Sequence, residues 1–130
     1  MSNTGLTEAI LNAEEALLGA ILIDSAGGDD TAIKTVARIV STNDFYGGSN
    51  SHHGRIYHAM IRSTQPPHQI VTAQTMQKLN TLQKGDCSYL RELVSKCPCS
   101  LDYESYARAV KEYSLQRQGI KKPMYTGAIY

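Results

Sequence analysis

The stretch Ala13-Glu14-Glu15-Ala16-Leu17-Leu18-Gly19-Ala20-Ile21-Leu22-Ile23-Asp24 decides how this chain folds. Leu11, Leu18 and Leu22 follow one another at spacings of seven and four, with Leu17 and Ile21 alongside, the pattern of an amphipathic helix. The helix should run from Thr7 to Asp24, with Glu14 and Glu15 on the opposite, solvated face. Two starts are open: Thr7 capping with Glu8 in the first turn, or Asn12 with Glu15 three residues later. Gly19 falls in the helix interior, where glycine costs about 1 kcal/mol relative to alanine. That cost points to another backbone passing close by.

Outward from this helix, Ser25 to Asp30 is a loop, and Asp30 or Thr31 caps a second helix with Ile33, Val36, Ala37 and Val40 on one face. Ser41 to Asn50 is rich in turn formers, and Phe45, the only phenylalanine, should plug the core from this loop. A third helix from about His52 to Ser63 buries Ile56, Tyr57, Met60 and Ile61 and ends before Pro66-Pro67, since residues preceding proline avoid the α region. Gln69 to Val71 reads as a short extended stretch. Thr72 reads as the cap of a fourth helix with Ala73, Met76 and Leu79 inward, broken by Gly85. A fifth carries Tyr89, Leu90, Leu93 and Val94 up to Pro98. The last begins near Leu101 or Asp102 and carries Tyr103, Tyr106, Ala107, Val110 and Tyr113. The expected fold is all-α: a compact bundle of six helices.

Composition excludes much else. At 130 residues the chain is the size of one domain, too short for a nucleotide-driven motor beside anything further. Thirteen basic against 12 acidic side chains leave a net charge of +1, no footprint for nucleic acid or an anionic membrane. Arg108, Lys111, Arg117, Lys121 and Lys122 are interleaved with Tyr103, Tyr106, Tyr113 and Tyr125, but Asp102, Glu104 and Glu112 dilute them, and direct nucleic-acid binding is not expected. No apolar run approaches 18 residues, and MSNTGLTEAI is not a signal peptide. Cys87, Cys97 and Cys99 do not have zinc-site spacing and read as free thiols in a reduced, cytoplasmic setting. His52 and His53 are adjacent, about 100° apart on a helix, and cannot chelate one ion together. Neither a phosphate-binding G-x-x-x-x-G-K-[ST] nor an H-E-x-x-H or G-x-S-x-G pattern occurs. The carboxylate pairs Glu14-Glu15 and Asp29-Asp30 are read as solvated, without acid–base roles. No cofactor, metal or catalytic residue is expected, and the chain should not be an enzyme.

The order of the signals resembles a known family. The Ala13–Asp24 block is similar to the opening helix of the DnaB-like helicase N-terminal domain. Asp44-Phe45-Tyr46 resembles that family's DFY, His53-x-x-Ile56-Tyr57-x-x-Met60 its H-x-x-I-[FY]-x-x-[MI], and Val71-Thr72 its vT before a helix. Ser88-Tyr89-Leu90-x-x-Leu93 resembles YLxxL. Pro98, Tyr106-Ala107-x-x-Val110 and Arg117 resemble P…YAxxV…R. Six blocks in register cover about residues 10 to 120. Glu14, Gly19, Asp44, Phe45, Tyr46, His53, Ile56, Tyr57, Thr72, Tyr89, Leu90, Tyr106, Ala107 and Arg117 are the signature positions. The chain departs from the pattern at Ile10, where a capping serine is usual, in the longer loops Ser25–Asp30 and Gly47–Ser51, at Gln69 for an aspartate, and at Gly85-Asp86 for a double glycine.

The resemblance implies an orthogonal bundle whose last helix begins a helical hairpin, with a domain over residues 1–120 and a tail of truncated linker at 121–130. It implies a collar on a hexameric helicase ring that docks primase, performs no chemistry, and stands apart from a RecA-like motor. Without the second hairpin helix, self-association with other helicase subunits should be weak, giving monomer or head-to-head dimer. Two other readings are open: the helicase-binding domain of a primase, which "AEEALLGAILID" and DFY argue against, and a stand-alone phage or mobile-element protein that mimics the collar to load or inhibit a host helicase. Arg91, Glu92, Arg108 and Glu112, exposed on the last two helices, are the candidate partner surface.

Overall fold

The computed structural model describes residues 3–119. Six α-helices follow one another: α1 (Asn3–Ala26), α2 (Thr31–Ala37), α3 (His52–Arg62), α4 (Gln69–Lys78), α5 (Asp86–Lys96) and α6 (Tyr103–Arg117). Three 3₁₀ turns, Thr42–Asp44, Gly48–Asn50 and Ser100–Asp102, lie in the connections. No strand occurs among the described residues.

The first helix is the axis on which the others are assembled, touching α2, α3, α5 and α6. Leu17, Leu18, Ile21 and Leu22 are wholly buried on it, and each such side chain taken out of water contributes roughly 1.5–3 kcal/mol. Gly19 confirms the reading of its cost. A methyl group there would collide with the Leu93 carbonyl oxygen and stand 3.0 Å from Cys97 Cβ, so α5 lies backbone-to-backbone against α1. The helix starts at Asn3, before either proposed cap.

Several expectations are corrected. In α2, Ala32 faces the core with Ile33 and Val36, while Ala37 is exposed. Its first turn is held by Asp29, which accepts from the Thr31 amide (3.0 Å), and by Asp24, which accepts from the Ala32 amide. Ile61 is 40% exposed, because the inner face of α3 is instead completed by His53, Gly54 and Ala59. Gln69 to Val71 is helical, and Thr72 is no cap: it lies buried inside α4 and donates its hydroxyl back to the Pro67 carbonyl at 3.0 Å. Gly85 does not end α4, which stops at Lys78; Asn80, in the left-handed region (φ 63°), turns the chain away. Buried Ser114 takes an inner position on α6, with Tyr113 half-buried beside it. As expected, Phe45 is wholly buried, its ring 4.9 Å from that of Tyr57.

Candidate functional site

Of the signature residues, Glu14, Tyr57 and Arg117 meet Asp44, Phe45 and Tyr46 at the loop between α2 and α3. Asp44 is its centre. The side chain is 4% exposed. One carboxylate oxygen, Oδ2, accepts from the Ser41 amide (2.7 Å), the Ser41 hydroxyl (3.1 Å) and Lys111 Nζ (3.1 Å). The other, Oδ1, accepts from the Ser114 hydroxyl at 2.7 Å. Burial raises the Asp44 pKa, but these bonds outweigh it and hold the carboxyl below its ordinary 3.8. Arg117 donates to the Asp44 carbonyl oxygen at 2.7 Å and lies over the Tyr46 ring, 5.4 Å from its centroid. The Tyr57 hydroxyl donates to the Val40 carbonyl at 2.7 Å. The loop is thereby fastened to α3 and α6.

A second network fastens it to α1. Glu14 is wholly buried, contrary to its assignment to the solvated face. Its Oε2 accepts from the Tyr46 amide at 2.6 Å and its Oε1 meets His53 Nδ1 at 2.7 Å. The signal was present in the spacing: Glu14 stands four residues before Leu18 and seven before Ile21, on the buried stripe itself. His53 Nε2 lies 2.6 Å from the Tyr89 hydroxyl, which donates to Glu15 Oε2 at 3.1 Å. Burial, then Glu15, pushes the Tyr89 phenol well above its ordinary 10.0. A phenol so raised is neither a base nor a nucleophile near neutral pH; the chain Glu14–His53–Tyr89–Glu15 is a tether between α1, α3 and α5.

Beside it, His52 stacks on Tyr89 (centroids 4.4 Å apart) and meets Asp86 at 3.0 Å. Burial lowers the His52 pKa below 6.5 despite Asp86. Asp86, itself buried, also accepts from Arg55 (3.3 Å) and the Gln83 amide (2.8 Å). The two histidines thus turn to different carboxylates. Among the described residues no group of three or more His, Cys, Asp or Glu side chains is disposed to hold a metal ion. The sequence did not point to Arg55 or Ser114, and Lys111 and Asp86 stood out only as part of a basic stretch and of a turn that departs from the family pattern.

The remaining signature residues are packing residues: Ile56, Leu90 and Ala107 are buried and Tyr106 half-buried. Of the candidate partner surface, Arg91, Glu92 and Arg108 are exposed and Glu112 is half-buried. Glu92 pairs with Lys96 at 3.0 Å, Arg108 with Glu104 at 2.8 Å, and Arg91 reaches only the Ser88 hydroxyl at 3.3 Å. Cys87, Cys97 and Cys99 are free thiols, Cys97 partly packed. Lys121, Lys122 and Tyr125 lie outside the described residues.

A family model described as the DnaB-like helicase N terminal domain matches residues 7–112. The chain belongs to this family. The replicative DNA helicase DnaB of Geobacillus stearothermophilus is 33% identical over 115 residues, 85% of this chain and 24% of that protein. The replicative DNA helicase DnaC of Bacillus subtilis (strain 168) is 28% identical over 123 residues, 92% of this chain and 25% of that protein. This DnaB-like domain therefore spans about a quarter of the length of the curated relatives it matches. The crystal structure of the N-terminal domain of DnaB helicase from Mycobacterium tuberculosis superposes with a TM-score of 0.69 at 27% identity, over 83% of this chain and 72% of that one. In the DnaB-like domain described here, Glu14, Tyr57 and Arg117, from three of the blocks that carry the likeness, hold the α2–α3 loop in place. No described helix is long and apolar enough to cross a membrane.

Proposed function

We propose that this DnaB-like domain, residues 1–120, is a non-catalytic collar module of replicative helicase machinery in the cytoplasm. It acts by protein contact: self-association with other helicase subunits and docking of primase. The observation that carries the reading is the family match over residues 7–112 joined to the use of the signature polar side chains. Glu14, Asp44, His53 and Tyr89 are bonded to one another, to neighbouring side chains or to the backbone, which supports a scaffolding role. The absence of a phosphate-binding loop from the sequence supports the same reading. Isothermal titration with purified primase tests it: saturable heat is expected, while ATP turnover by the pure chain would refute the non-catalytic assignment. Sedimentation should show monomer or dimer, and a stable hexamer at micromolar concentration would refute weak self-association.

A further inference from the structure

We infer that the face built by α4 and α5 is a groove that takes an acidic amphipathic helix of a partner protein, an inference that rests on the docking role proposed above and locates it. Ile70, Ala73 and Gln77 form a stripe along α4 at helical spacing; Cys87, Leu90 and Arg91 face them from α5. Between the two stripes lies an open hollow of about 290 Å³, with Leu82 at its edge and buried Leu90 beneath. A second hollow, about 420 Å³, shares Gln69 and Ile70 with the first and continues to Leu22, Ile23 and Ala26 on α1. Ile70, 65% exposed, is the ridge between them. Two helical stripes flanking an elongated apolar trough are the receptor half of helix-in-groove recognition.

Charge selects the occupant. Between Ser63 and Arg91 the only carboxylate is Asp86, and it is buried against His52, Arg55 and the Gln83 amide. Lys78, next to the lining residue Gln77, Lys84, in the connection that carries Leu82, and Arg91 are all exposed. None of the three is in an ion pair among the described residues. An apolar trough with an uncompensated cationic rim is complementary to a helix with an aliphatic stripe flanked by Asp and Glu. Neither hollow is lined by Phe, Tyr or Trp, and His68 in the second is the one ring on which a nucleobase could stack, so a protein helix fits better than single-stranded nucleic acid.

The test uses the full chain and two synthetic helical peptides that share a leucine stripe, one flanked by glutamates and one by lysines. In amide correlation spectra the glutamate peptide should shift resonances of α4 and α5 and leave the α6 face unmoved. The lysine peptide should bind at least about tenfold more weakly. Ile70→Glu and Arg91→Glu, at exposed positions where the fold is retained, should each weaken the glutamate peptide by about tenfold or more, and added salt should weaken it further. Equal binding of both peptides, shifts confined to another face, or unchanged binding by both variants would overturn the groove. So would displacement of the peptide by a single-stranded oligonucleotide, or a dimer of the free chain that Ile70→Glu dissolves. Primase titrated against Ile70→Glu separates this from the broader reading: binding equal to wild type rejects the groove and keeps the docking role, whereas no binding to wild type rejects primase docking and leaves the peptide result to stand on its own.

Discussion

The loop that carries Asp44, Phe45 and Tyr46 and the face built by α4 and α5 treat their side chains in opposite ways. At the loop, both carboxylates that meet it point inward: Asp44 to Ser41, Lys111 and Ser114, and Glu14 of α1 to Tyr46 and His53. On the α4–α5 face, Ile70 and Leu82 stand toward solvent, and Lys78, Lys84 and Arg91 have no ion-pair partner among the described residues. The first region has completed its chemistry within the chain and the second has not. The polar signature residues Glu14, Asp44 and His53 therefore belong to the interior architecture.

The sharpest way to break this contrast is Glu14→Ala. It leaves the Tyr46 amide and His53 buried without an acceptor, and removing one partner of a buried pair costs about 3–5 kcal/mol; urea unfolding should show that loss. Asp44→Asn is next, at about 2 kcal/mol for the charged hydrogen bonds from Lys111 and Ser114. Because the folded-state pKa of Asp44 lies below 3.8, its contribution is present above that value and is lost as pH falls through the lower folded one. The variant should thus flatten the acid limb of stability against pH. Tyr89→Phe removes one hydroxyl bridging His53 and Glu15 and should cost about 1 kcal/mol. Ile70→Ser, on the open face, should change stability by no more than about 0.5 kcal/mol in either direction; a loss comparable to that of Glu14→Ala would erase the distinction. The smallest effect belongs to His52→Gln. The His52 pKa is lowered from 6.5, so the neutral ring is favoured in the folded state and stability declines as pH falls below 6.5 through the lower folded value. The variant should make that decline slightly shallower in pH-dependent thermal melts.

Where the apolar stripe is long, the sequence is readable. Leu17, Leu18, Ile21 and Leu22 announce α1, and the glycine among them announces the approach of α5, because only a close neighbour offsets its cost. Phe45, lone in a polar stretch, is likewise legible as a plug. The buried polar residues are harder. Glu14 and Ser114 share helical stripes with aliphatic residues, but their partners lie 32 or more residues away, and no local pattern names a hydrogen bond made across the fold. Thr72 carries the composition of a cap and bonds the Pro67 carbonyl from inside the helix instead. The α4–α5 trough is invisible in one dimension, since it arises from the spacing of two helices and from Gln69 to Val71 joining the first of them.

Arg117 has a consequence for how this domain bears load. Its guanidinium grips the Asp44 carbonyl and covers Tyr46, and the Tyr46 amide is held by Glu14 on α1. A pull or twist applied to the last turn of α6 therefore reaches the central helix through two hydrogen bonds in series, Arg117 to Asp44 and Tyr46 to Glu14, beside the direct packing of α6 on α1. The loop is the rivet of the molecule, and α6 is a lever whose short arm ends on α1.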